Sequence, residues 1–184
     1  MTVSVVTVSY NAESTIEDAV RSVVEQKGPF QLDYHIVDGG SSDGTTQRIG
    51  PFANRITQVT SAPDNGLYDA MNRGVARSTG DIIGILNADD RYADNRVISD
   101  VLDTFESTDA DGVYADLDYV DANDGETIIR RWKSGHPRPF SRGWMPPHPT
   151  LFVKRKVYEQ HGLFNLQLRS AADYELMLRF VHGN

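Results

Sequence analysis

The chain predicts an α/β fold: a mostly parallel, Rossmann-like sheet flanked by helices, with a small antiparallel element in the C-terminal half. Short apolar, β-branched runs of strand length recur at residues 3–9, 34–37, 56–60 and 82–86. Apolar residues at helical spacing fall between them, and this alternation favours a parallel sheet with right-handed crossovers. Asn11, Asp38 and the pair Asp89-Asp90 each follow a strand directly. A parallel sheet gathers such residues on one edge, where open α/β sheets bind ligands.

In chain order, the first strand ends at Tyr10-Asn11, and Ser14-Thr15-Ile16-Glu17 reads as a capping box. Ile16, Ala19, Val20, Val23 and Val24 then share one helical face. Gly28-Pro29 precedes the second strand, which is broken at residues 38–44. The third strand leads to Pro63-Asp64-Asn65-Gly66 and a helix from Leu67 to about Arg77, with Tyr68, Met71, Asn72 and Val75 on one face. After the fourth strand, Val97, Ile98, Val101, Leu102 and Phe105 mark another helix. Residues 112–116 predict a strand and residues 121–125 a hairpin turn into 127–129. The proline-rich stretch 137–149 is long enough to be a binding loop, residues 150–153 predict a strand, and Tyr174, Met177, Leu178 and Val181 predict a closing helix.

At 184 residues the chain is sized for one domain, and its net charge of -8 argues against a surface built for nucleic-acid backbone. No cysteine is present, which excludes disulfides, zinc-thiolate sites and thiol catalysis. The N-terminus enters a strand without a basic leader, and no apolar stretch approaches the roughly 18 residues of a membrane span. The expectation is a cytoplasmic protein, at the inner face of the membrane where its acceptor is lipid-linked.

The stretch DIIGILNADD, residues 81–90, carries the sharpest chemistry. An apolar strand stops at Asn87, Ala88, Asp89 and Asp90, putting carboxylates and an amide at its carboxyl end. Such hard oxygen ligands suit a divalent cation carrying a phosphate, whereas a lone Asp-Asp pair also fits a turn or a helix cap.

Six segments in order extend this reading: VSVVTVSYNAESTIEDAVRSV (3–23), VDGGSSDGT (37–45), APDNGLYDAMNRGVARSTGD (62–81), LNADD (86–90), HPTLFVKR (148–155) and SAADYELMLR (170–179). With them the chain resembles the inverting nucleotide-sugar glycosyltransferases of family 2, with the GT-A fold, from about Thr2 to its end. The resemblance implies a single catalytic domain, with residues 1–106 binding the nucleotide sugar and 107–184 on the acceptor side. Relatives continue further, which implies a chain cut short after the last helix. The implied reaction is hexosyl transfer from a UDP-linked donor to a hydroxyl of a saccharide or lipid-linked acceptor, in polysaccharide, glycolipid or cell-envelope assembly.

The same resemblance implies the roles of particular residues. Ser9, Tyr10 and Asn11 would lie beside the donor's base, and Asp38 would accept from the ring N–H of a uracil. Asp64 fits either a helix cap or a donor contact, and Arg73 either an exposed helical residue or a ribose or phosphate contact. LNADD looks like the family's Asp-x-Asp-type metal motif with Asn87 in place of an acid, so Mn2+ or Mg2+ would be held by Asp90 and Asp89, with His148 completing the sphere. Asp173 would be the catalytic base, and Ala172 replaces the first acid of a Glu-Asp pair found in similar enzymes. Glu175 and Arg179 are expected to form a surface pair. A sugar nucleotidylyltransferase would need a glycine-rich basic loop after the first strand, which Tyr10-Asn11-Ala12-Glu13 is not. An inactive nucleotide-sugar-binding domain is the other alternative.

Overall fold

The computed structural model describes residues 1–183. The elements run β1 (Thr2–Ser9), α1 (Ile16–Val24), β2 (Gln31–Asp38), α2 (Thr45–Ile49), β3 (Gln58–Ser61), α3 (Leu67–Arg77), β4 (Ile82–Asn87) and α4 (Val97–Ser107). They continue as β5 (Gly112–Val113), β6 (Leu117–Val120), β7 (Ile128–Trp132), β8 (Phe152–Lys154), α5 (Arg155–His161) and α6 (Ala172–His182). One six-stranded sheet has the order β3-β2-β1-β4-β8-β5, and β6 and β7 form a separate antiparallel hairpin. β3, β2, β1 and β4 are mutually parallel, whereas β8 runs antiparallel to both β4 and β5.

The near-continuous apolar runs of β1 and β4 exist because the sheet is covered on both faces. Val3, Val5, Ile82 and Leu86 join one core cluster with residues of α1 and α4, while Val6, Val8, Ile83 and Ile85 join another with residues of α3, α5 and α6. Gly84 has no Cβ where the Phe152 ring crosses the strand, which lets β8 pack against β4. Gly74 of α3 likewise lies directly against Val6, so helix and sheet approach closely.

The predicted capping box does not form. α1 starts at Ile16 with Thr15 as its N-cap, and no side chain caps it. The turn before it supplies backbone instead: the amides of Thr15 and Ile16 both donate to the carbonyl of Ala12. The predicted strand at 112–116 shortens to β5, and the hairpin is built from β6 and β7 around the turn at 121–125. Ser134 explains the shortening, since its amide and hydroxyl bond Asp116 and the Ala115 carbonyl and divert that segment from the sheet.

Candidate functional site

The parallel register sets Ser61, Asp38 and Ser9 side by side at the carboxyl ends of β3, β2 and β1, with Asn87 opposite Val8 on β4. Two loops leave this edge and are zipped to each other. The Asn11 amide donates to the Ser41 hydroxyl, and the Ser42 amide donates to Asn11 Oδ1. Ala12 and Glu13 add amide bonds to Thr45 Oγ1 and Asp43 Oδ2. Asn11 takes a left-handed backbone (φ 47), a conformation its short polar side chain tolerates.

Asp38 is the centre of this zipper. Its Oδ1 accepts the hydroxyls of Ser9 and Ser41, and its Oδ2 accepts the amides of Gly40 and Ser41 and the hydroxyl of Ser61. Burial raises its carboxyl pKa, but the Ser41 and Ser61 hydroxyls and the other donors outweigh that and hold it below the usual carboxylate value. At 1 % exposure, with the lone pairs of a carboxylate already engaged, Asp38 has none to offer a uracil N–H. In this structure Asp38, expected beside the base, organises the loop. Ser9 is buried beside it and donates its hydroxyl to Asp38. Tyr10 is left open at this edge, 67 % exposed.

Asp64 does not cap α3 in the expected way, because Gly66 is the N-cap position and makes no side-chain cap bond. Its Oδ1 accepts the Gly66 amide at 2.8 Å. The helix start is held by Asp69, whose Oδ2 accepts the Asn65 amide, the Asn65 side-chain amide and Arg73. Arg73 also donates to the Pro63 carbonyl, so its guanidinium is anchored to the start of α3.

At the end of β4, Asn87 donates its side-chain amide to Asp90 Oδ2 at 2.9 Å, and Asn87 Oδ1 is buried without a partner. Burial raises the carboxyl pKa of Asp90, and the charge of Asp89 raises it further, against the Asn87 bond. These are oxygen groups short of positive charge, a donor set that fits a hard divalent cation. Among the described residues, however, no three His, Asp or Glu side chains gather as a metal-ligand set. His148, expected to complete the sphere, is not gathered with Asp89 and Asp90 into such a set.

His148 stands with Asp173 instead. It is buried in the 3-10 turn His148–Thr150, edge-on to Phe164 at 5.5 Å between ring centres. Burial pushes its imidazole down to about 4, with the Asp173 carboxylate pulling the other way, so the ring is neutral at pH 7. Asp173 lies in the first turn of α6 and accepts the Tyr68 hydroxyl of α3 at 3.1 Å. Tyr68 stacks on Phe164 at 5.5 Å, and Asn72, one turn along α3, exchanges hydrogen bonds with both the amide and the carbonyl of Phe164. One face of α3 thereby holds Asp173 and its surroundings.

The proline-rich loop is tied down beside α6. Phe140 is buried edge-on against Trp144 and Tyr174, and the Trp144 indole N–H donates to the Ser134 carbonyl at 2.9 Å. Glu175 and Arg179 are only part-exposed, and Arg179 also donates to the carbonyls of His161 and Leu163, so the expected surface pair is a clamp between α6 and the segment after α5. Tyr68 and Ser61 were not singled out as site residues from the sequence. The helical spacing that put Tyr68 on the face of Met71 was the available signal for the first, and nothing local marks the second.

The family model for glycosyl transferase family 2 matches residues 4–172. A glycosyltransferase of Mycobacterium tuberculosis (strain ATCC 25618 / H37Rv) is 29 % identical over 182 residues, spanning 97 % of this chain and 68 % of the relative. A PGL/p-HBAD biosynthesis glycosyltransferase of Mycobacterium bovis (strain BCG / Pasteur 1173P2) is 29 % identical over 187 residues, spanning 96 % and 68 %. Among solved structures, S. aureus TarS in complex with UDP superposes with a TM-score of 0.78 at 18 % identity, covering 98 % of this chain and 55 % of that one. The mannosyltransferase PcManGT from Pyrobaculum calidifontis, in complex with GDP-Man and Mn2+, gives 0.74 at 20 % identity, covering 97 % and 51 %. The chain thus spans about two thirds of the mycobacterial relatives and about half of these solved chains.

Proposed function

The chain belongs to glycosyl transferase family 2, and on that premise we propose that it transfers a sugar, with inversion, from a UDP-linked donor to a hydroxyl of a saccharide or lipid-linked acceptor. Polysaccharide or glycolipid assembly is the setting that the mycobacterial relative named for PGL/p-HBAD biosynthesis supports. The observation that carries the reading is the pairing of two features. Oxygen groups short of positive charge lie at the end of β4, and a carboxylate, Asp173, is held by Tyr68 at the start of α6.

Asp173 takes the proton of the acceptor hydroxyl as that oxygen attacks the anomeric carbon from the face opposite the leaving group. One C–O bond forms, the bond to the diphosphate oxygen breaks with its electron pair, and the anomeric centre inverts. The Tyr68 hydroxyl fixes the direction in which Asp173 presents its other oxygen. His148, neutral and packed on Phe164, walls the acceptor side without adding a charge that would compete for the proton. Asp90 and Asp89 would hold Mn2+ or Mg2+ together with diphosphate oxygens, a ligand set typical of cations shared with a phosphate. A bound cation supplies charge neutralisation of the leaving diphosphate. Residues 1–106 serve the donor and 107–184 the acceptor. Among the described residues no helix is long and apolar enough to cross a membrane.

The test is hydrolysis and transfer from UDP-, GDP- and dTDP-sugars with Mn2+, comparing the chain with Asp90→Ala and Asp173→Asn. Turnover of one donor class, lost by at least about a hundredfold in both variants, is the expected result. Equal turnover in the chain and in Asp173→Asn would overturn the assignment of the base.

A further inference from the structure

We propose that Asn72 is a positioning residue for the catalytic base, acting on Asp173 through Phe164 and Tyr68. The inference rests on the reading of Asp173 as the base and deepens it. Asn72 lies one turn after Tyr68 on the same face of α3. Its side-chain amide donates to the Phe164 carbonyl at 2.9 Å, and its Oδ1 accepts the Phe164 amide at 2.9 Å. Two bonds from one side chain to the backbone of one residue fix both its place and its rotation. An amide offers a donor and an acceptor side by side for this; aspartate lacks the donor, and leucine, of similar size, lacks both. The Phe164 ring is then trapped between the parts of the site. It is 3 % exposed, stacked on Tyr68 with 19° between the planes, and edge-on to His148. The Tyr68 hydroxyl in turn reaches Asp173.

Three features indicate that the start of α6 is set from outside the helix. No side chain caps it, so Asp173 does not owe its place to a cap. Ala171, the residue before α6, has a left-handed backbone (φ 62), which costs energy for alanine and persists where surrounding contacts impose it. Arg179 of α6 donates to the carbonyls of His161 and Leu163, so the segment ending at Phe164 is tied to α6 on one side and, through Asn72, to α3 on the other. Without Asn72 the Phe164 ring loses its anchor, and Tyr68 loses the surface on which it stacks. The Tyr68 hydroxyl then no longer holds one Asp173 oxygen while the other takes the proton, and a small misplacement of a reacting group slows the chemical step steeply. A merely structural Asn72 would lower the rate by the same factor whatever stands at 68 or 173. A positioning Asn72 loses its effect once Tyr68 or Asp173 is altered, because residues acting in one chain are not additive.

The test is a mutant cycle read in UDP-sugar hydrolysis with Mn2+, with UDP affinity measured beside it by titration calorimetry. Asn72→Leu is expected to lower kcat at least about tenfold while the Kd for UDP stays within about twofold. Asn72→Asp, which keeps the acceptor and loses the donor, is expected to fall between the two. Added to Tyr68→Phe or to Asp173→Asn, Asn72→Leu is expected to cost less than about twofold more. Phe164→Leu keeps the backbone bonds and removes the ring, and is expected to repeat the pattern; it carries the test should Asn72→Leu fail to fold. Amide exchange supplies a readout independent of turnover: the Phe164 amide is expected to exchange at least about tenfold faster in Asn72→Leu, with the β1 amides unchanged. An unchanged kcat in Asn72→Leu, or the same tenfold loss in the Asp173→Asn background, would overturn the proposal and leave the donor reading intact. Failure of the unaltered chain to bind UDP or to turn over any UDP-sugar would overturn both.

Discussion

Tyr68 is the residue whose role is most sharply defined by geometry alone. Its hydroxyl donates to Asp173, and its ring is held by Phe164, so Tyr68→Phe removes a single hydrogen bond without opening a cavity. A hydrogen bond to a charged group contributes about 1.5–3 kcal/mol, so kcat should fall about ten- to a hundredfold while the donor KM stays within about twofold. An unchanged kcat in steady-state kinetics would show that Asp173 needs no such support. At this scale the sequence was partly legible. Asp173 and Asp90 are acids in a recognisable order, whereas the commitments of Asp38, Ser9 and Arg73 depend on neighbours distant in sequence. Ser61 reaches Asp38 only because β3 pairs with β2, and Arg73 turns inward because Asp69 and Pro63 meet it.

α3 is the element on which both halves of the site depend, since its start lies by Asp64 and its face carries Tyr68 and Asn72. Gly74 sets how closely it approaches β1. In isolation Gly74→Ala would favour the helix by about 1 kcal/mol. Here the new methyl would strike Val6, and overpacking of that kind costs about 1–3 kcal/mol. The net expectation is a lower urea midpoint, and a raised one would mean that α3 can slide on the sheet without strain. The second element-scale case is α6, tied to the segment after α5 by Arg179. Arg179→Met keeps the stem but loses bonds to two carbonyls and Glu175, and should destabilise by about 1–3 kcal/mol in the same assay. α1, α3, α4 and α6 could be read from their helical spacing and β1, β2 and β4 from their apolar runs, because burial imposes both, whereas α2 and α5, at five and seven residues, are too short to show a period. The start of α1 and the extent of β5 could not be read, since a backbone turn at Ala12 and the bonds made by Ser134 override the local signals.

For the whole molecule, stability should fall on acidification in two separable windows. His148 titrates near 6.5 in an unfolded chain and is pushed down to about 4 in the fold, where burial disfavours its charged form. Between those values the unfolded state binds the extra proton, so stability is lost as pH falls from about 6.5 to about 4, on the order of a few kcal/mol. The second window lies lower and belongs to β2, which carries a buried carboxylate at each end of its apolar stretch. Asp33 is pinned by Ser4, by the amide and hydroxyl of Thr79 and by His35, as Asp38 is by its serines. Burial opposes the ionisation of Asp33, but the Thr79 amide, the Ser4 and Thr79 hydroxyls and His35 together depress its pKa, as happens at Asp38. Their stabilisation is present above the unfolded value of about 3.9 and is lost as pH falls through their folded values. Urea midpoints measured from pH 7 to pH 3 separate the two. His148→Gln should flatten the curve above about pH 4 and leave the lower limb, while Asp33→Asn should be less stable at pH 7 yet lose less below about pH 4. Parallel curves for all three proteins would mean that acid acts through dispersed surface charge and not through the groups that pin the sheet and wall the site.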